Sequence, residues 1–120
     1  MSRGSPYANL FTRLVANTDE PEWSGGCWAW AAKRDRWGYG RVNVYIPGLQ
    51  KVVILMAHIC AWVWLEAKCT CADELYLAYQ ELQASGLELD HVCVVPTCIN
   101  PDHHDPVTPA VNNQRKFNRA

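Results

Sequence analysis

Between Leu87 and Lys116 the chain concentrates side chains able to do chemistry, among them Asp90, His91, Cys93, Cys98, Asn100, His103, His104 and Asn112. Four residues separate Cys93 from Cys98, and four more separate Cys98 from His103. Soft thiolates with an imidazole at this knuckle-like spacing suit tetrahedral Zn²⁺, and Asn100-Pro101 supplies the turn that brings them round. Three local ligands leave a closed structural site one short. Cys27, in Gly25-Gly26-Cys27-Trp28, is the favoured fourth ligand because the glycines let its backbone approach closely, with His104 as the competitor. Strand alternation over Leu87 to Cys93 puts Asp90 on one face with Glu88, and His91 on the other with Leu89. An imidazole near its ordinary pKa is suited to accept a proton from water, and a carboxylate is a hard ligand for Mg²⁺. Alone, such a pair is more often structural than catalytic. Thr108-Pro109 reads as a helix start that puts Asn112 in the first turn, with Arg115 and Lys116 three and four residues on along the same face.

The elements that must position these groups are short. Ser5 to Val15 reads as an amphipathic helix capped by Ser5 with Pro6 at its first position, bracing the surface through Leu10, Phe11, Leu14 and Val15. Residues 17 to 26 have loop composition. Alternation at Trp28 and Trp30, from Tyr39 to Tyr45 and from Lys51 to Leu55, with turns at Lys33 to Arg36 and Pro47-Gly48, predicts a small antiparallel meander. Met56 to Ala67 reads as a mostly buried helix, apolar nearly all round and including Trp62, Trp64 and Leu65. Ala72 to Ala84 reads as a second helix stopped by Gly86.

The 120 residues make one domain, 49 % hydrophobic, with residues 1–24 as helix and loop, 25–86 as the meander and helices, and 87–118 as the chemical core. Six Trp and five Tyr exclude a disordered chain, and no apolar run is long enough to span a membrane. The N-terminal residues have no apolar targeting segment, so the expectation is a cytoplasmic protein with reduced cysteines. Six cysteines in such a compartment point to metal rather than to cross-links. The formal net charge is -1, yet Lys33 to Arg41 carries four basic residues and one Asp, and Glu66 to Asp90 carries six acids and one Lys. Arg115 to Arg119 adds three basic residues and no acid. An anionic partner would meet the first and last of these runs, although such runs are commonly just solvated faces.

An Asp-His-x-Cys strand, a Cys-x-Asn-Pro-x-His knuckle and a downstream Asn are formed here by Asp90, His91, Cys93, Cys98, Asn100, Pro101, His103 and Asn112. In this the segment resembles the ββα-metal core of the HNH, or His-Me finger, endonucleases, more narrowly the small zinc-containing phage proteins and the His-Cys box homing enzymes. Cys27-Trp28-Ala29-Trp30, Gly38 to Arg41 and Ala57-His58 extend the likeness to roughly residues 25 to 118. The resemblance implies an α+β fold, a small antiparallel meander plus helices packed on a zinc-stapled ββα-metal core.

It also implies a divalent-metal-dependent DNA endonuclease acting on double-stranded DNA. His91 would be the general base, and Asn112 with Asp90 would hold a catalytic Mg²⁺ or Mn²⁺. Cys27, Cys93, Cys98 and His103 would hold structural zinc. Arg41 would clamp phosphate, and Arg34, Arg36, Arg115 and Lys116 are further candidates for contact with nucleic acid. The chain departs from the family in having Ile59 where Arg usually follows His58, and His104 where an apolar residue is usual. Lys68 to Gly86, with Cys69 and Cys71, reads as an insertion whose cysteines are plain thiols, and His58 as a satisfied buried histidine. The competing reading is a zinc-stabilised DNA-binding or phage-assembly module with a vestigial site. Specificity, oligomeric state, biological role and the choice between nick and double-strand break stay open.

Overall fold

A computed structural model describes residues 10–19 and 26–119. It is an α+β fold of four helices and small antiparallel two-stranded sheets. Helix α1 (Leu10–Ala16) comes first, and the expected capping Ser5 and Pro6 lie outside the described residues. Leu10 and Leu14 are buried in the core, so α1 is a core element and more than a surface brace.

The expected meander is instead two separate ladders. Strand β1 (Thr18–Asp19), within the segment read as loop, pairs with β2 (Ala29–Trp30). Strand β3 (Arg41–Ile46) pairs with β4 (Lys51–Met56). The separation follows from the loop between β2 and β3. There the Asp35 carboxylate accepts the backbone N–H groups of Trp37 and Tyr39 at 2.9 and 3.0 Å, folding the chain on itself before β3 begins. The Trp30 ring occupies the space a side chain at residue 40 would need, since a Cβ on Gly40 would lie 2.6 Å from it.

In β3 the alternation is strict: Val42, Val44 and Ile46 are buried while Asn43 and Tyr45 are exposed. Helix α2 (Ala57–Glu66) is buried through Ala57, His58, Cys60, Ala61, Val63 and Trp64. Its burial is less complete than an all-round apolar sequence predicts, for Leu65 is 49 % exposed. Helix α3 (Ala72–Ala84) has the expected bounds. It buries Ala72, Leu75 and Tyr79 along one stripe, and the Tyr79 hydroxyl accepts the Met56 N–H at 3.1 Å. Gly86 follows with φ +79°, a left-handed stop that suits glycine.

Strand β5 (Glu88–His91) then pairs with β6 (His104–Val107) in a register that sets Asp90 opposite Asp105 and His91 opposite His104. Between them lies a loop closed by a short 3₁₀ turn, Pro101–His103, and after them runs α4 (Pro109–Arg119). Among the described residues no helix is long and apolar enough to cross a membrane.

Candidate metal centre and the adjoining pocket

Backbone pairing carries Cys27 to the knuckle. The Trp30 N–H donates to the Thr97 carbonyl at 2.8 Å and the Ile99 N–H to the Trp28 carbonyl at 2.9 Å, laying residues 26–30 antiparallel to 97–100. Asn100 locks this crossing from both ends. Its amide Nδ2 donates to the Gly26 carbonyl at 2.8 Å, and its Oδ1 accepts the Asp102 N–H at 3.0 Å, which caps the turn delivering His103. The ligand atoms of Cys27, Cys93, Cys98 and His103 all lie within 4.8 Å of one another, and the His103 Nδ1 is 3.5 Å from both the Cys27 and the Cys98 sulfur.

This cluster could hold a metal such as zinc: three soft thiols and one imidazole are the donor set that metal favours. Burial pushes the Cys98 thiol up to about 12 and raises Cys27 as well, so in the absence of a cation these two sulfurs keep their protons. The competition for the fourth position goes to Cys27 and not to His104, whose Nδ1 donates to the Asn100 carbonyl at 2.8 Å. Cys69 and Cys71 stand outside the cluster as free thiols.

Beside the knuckle opens a pocket of about 500 Å³ whose walls include Tyr39, His58, Asp90, His91, Asn112 and Lys116. Alternation predicts that Asp90 and His91 diverge, yet both are buried, and on the Asp90 side α4 lies against β5, with its Arg115 reaching Asp90. The Arg115 guanidinium reaches the Asp90 carboxylate at 3.1 Å and that of Asp105 at 2.9 Å. Two like charges set opposite each other in a ladder need such a cation between them, and the carboxylates in turn raise the Arg115 pKa. Arg115, expected to contact nucleic acid, is therefore engaged within the protein.

On α4, Thr108 Oγ1 accepts the Val111 N–H at 3.2 Å, the predicted cap, and the first turn presents Asn112 to β5. The Asn112 Nδ2 donates to the Glu88 carboxylate at 2.7 Å. This fixes the amide so that its Oδ1 is buried and lacks a hydrogen-bond partner. The contact of Glu88 with Asn112 is not among the sequence expectations, although its place two residues before Asp90 on one strand face is the available signal.

Three imidazoles meet at the pocket, His58 and His91 in its wall and His104 against both. Ring centroids of His91 lie 4.4 Å from His58 and 4.3 Å from His104, and the Tyr39 ring is 5.2 Å from His91. Burial, opposed by the Asp90 charge, brings His91 down to about 4; burial with the neighbouring His91 does the same to His104. Burial holds His58 well below the usual range. All three are neutral near pH 7. His58 Nδ1, His91 Nε2 and His104 Nε2 are buried without hydrogen-bond partners, so His58 is buried as expected but is not a satisfied histidine.

The remaining cations divide. Lys116 stands in the pocket wall, whereas Arg41 on β3 lies outside it and pairs with Asp35 at 3.4 Å. Arg34 and Arg36 are exposed on the loop before β3. No family model matches this chain, and no curated protein or solved structure matches it either.

Proposed function

We propose that the chain is a divalent-metal-dependent endonuclease of the HNH type, hydrolysing phosphodiester bonds in DNA. The observation that supports this reading most strongly is the convergence of Asp90, His91 and the unpartnered Asn112 Oδ1 on one pocket beside the Cys27, Cys93, Cys98 and His103 cluster. On this reading β5, the knuckle, β6 and α4 form a ββα-metal core, and zinc is its structural staple.

The chemistry of the pocket suits the role. His91 is neutral at working pH, and its Nε2 lone pair takes the proton from the attacking water. Asp90 and Asn112 are oxygen donors of the kind Mg²⁺ and Mn²⁺ accept, and the orphaned Asn112 Oδ1 fits such a ligand. A cation bound there would neutralise charge developing on the phosphate and the leaving 3′-oxygen. Glu88 and Arg115 orient the two donors, and Lys116 offers the phosphate a positive charge at the pocket wall.

Supercoiled plasmid incubated with Mg²⁺ or Mn²⁺ should be cut by the wild-type protein and left intact in EDTA. His91→Ala should lower the rate by about 10²- to 10⁴-fold while leaving DNA affinity nearly unchanged, because a general base adds little to ground-state binding. Wild-type cleavage by His91→Ala would sink the mechanism. DNA binding without cleavage by the intact, zinc-loaded wild type would favour the binding module.

A further inference from the structure

The loop ahead of β3 displays a large aromatic side chain that the proposed reaction does not use. Trp37 is 61 % exposed at its tip. Its backbone is nevertheless fixed: Asp35 accepts the N–H groups of Trp37 and Tyr39 through its side chain and that of Gly38 through its carbonyl, while its own N–H donates to the Tyr39 carbonyl at 2.9 Å. Gly38 has φ +91°, a conformation that favours glycine and sharpens the turn. A largely exposed indole held out on a rigid turn is a pre-organised contact surface.

Charge around the ring says what it would contact. The Arg36 guanidinium lies 4.3 Å from the Trp37 ring centroid, and Lys33 and Arg34 are exposed on the same loop. A flat aromatic face with one guanidinium against it, on a loop that carries two more exposed cations, is complementary to a base carried on a phosphate chain.

Position ties the loop to the pocket. A Cβ on Gly38 would lie 3.5 Å from Pro96 at the pocket wall, and Tyr39, two residues past Trp37, is itself a wall residue against His91. Within continuous duplex both faces of a base are covered by its neighbours, so an indole can stack only on a base that has left the helix.

We propose that Trp37, with Arg36, is a stacking platform for an unpaired nucleobase, and that the substrate is DNA with an unpaired base beside the bond that is cut. This rests on the nuclease reading for the identity of the polymer. The test measures binding by fluorescence anisotropy without added Mg²⁺ or Mn²⁺. The probes are a labelled oligothymidylate, an abasic oligomer of equal length and charge, and a continuous duplex.

Wild type should bind oligothymidylate about tenfold more tightly than the abasic strand. Trp37→Ala should abolish that preference, and Trp37→Phe should retain most of it. Equal affinity of the wild type for the two single strands, or a preference that survives in Trp37→Ala, overturns the platform. A preference for continuous duplex over oligothymidylate overturns it too. Cleavage with Mg²⁺, assayed on plasmid and on a duplex carrying one unpaired base, separates the two claims. Base-dependent binding that needs Trp37, in a protein that never cuts, upholds the platform and removes the nuclease. Cleavage with no base preference does the reverse.

Discussion

The two halves of the molecule are held together by different means. From α1 through α3 the chain shares one apolar cluster that includes Leu14, Val44, Ile46, Leu55, Val63 and Leu75. Among the described residues beyond Gly86, Ile99 alone belongs to that cluster. What orders residues 88–119 is largely polar: the Arg115 bridge between Asp90 and Asp105, the Asn100 and Asn112 amide contacts, and the four-ligand cluster. Hydrophobic burial scales with area and tolerates loss of one contact, whereas a metal-ligand set fails as a unit when one member is lost. The half that carries the candidate metal cluster is thus the half whose order depends on a few atoms.

The largest predicted effect follows from that contrast. Structural zinc contributes on the order of 10 kcal/mol in small metal-dependent folds, more than the net stability of many domains. Stripping zinc with a chelator, or changing Cys98 to Ser, should abolish amide-exchange protection across residues 88–107. Protection in β3, α2 and α3 should outlast it. Hydrogen exchange read by mass spectrometry gives both regions in one experiment. A Cys98→Ser protein with an unchanged melting curve would refute the zinc assignment, and simultaneous loss of both regions would show that they form a single cooperative unit.

The same contrast explains what could be read from the sequence. Helix α3 was legible to the residue because its apolar stripe and terminal Gly86 are local signals, and Cys93, Cys98 and His103 of the candidate metal cluster were legible because their spacing is short and their chemistry narrow. The partnering of strands was not. Ala29–Trp30 pairs with Thr18–Asp19 rather than with β3, a choice made by the Asp35 turn and by Trp30 filling the space beside Gly40. Polar contacts across elements were equally hidden. Glu88 reaching Asn112, and Arg115 turning inward to Asp90 instead of outward to a ligand, depend on how α4 lies against β5, which no periodicity encodes. The meeting of His58, His91 and His104 joins residues from three elements and was likewise invisible.

Those histidines supply the next effect in size. Their ordinary pKa is 6.5, and in the folded protein His91 and His104 lie at about 4, so each depressed group favours the folded state fully above pH 6.5. As pH falls from 6.5 towards 4 the unfolded chain takes up protons that the native imidazoles refuse, and stability is lost by about 1.4 kcal/mol per pH unit for each group. The urea midpoint should therefore fall steeply across that window. His104→Leu, which places an apolar side chain in the buried position, should show a shallower fall by roughly one proton. Zinc release on acidification affects both proteins, so the difference between their slopes isolates the imidazole. Identical slopes would show that His104 is not kept neutral by burial.

The smallest effect tests whether the knuckle imposes backbone strain on its loop. Val94 has φ +63°, a left-handed conformation that a β-branched side chain adopts only under constraint, and its N–H donates to the His91 carbonyl at 2.9 Å. The side chain is 59 % exposed, so burial does not account for the residue type. Left-handed geometry costs an L-residue roughly 1–2 kcal/mol, and glycine's extra freedom in the unfolded chain takes back roughly 0.5–1 of the relief. Val94→Gly should then stabilise the zinc-bound protein by up to about 1.5 kcal/mol, a rise of a few degrees in Tm. Val94→Ala, which keeps the Cβ, should gain less. A lower Tm for the glycine variant would mean that the valine side chain holds the turn after His91 through its own contacts, and that the half with the candidate metal cluster draws more on apolar packing than its composition indicates.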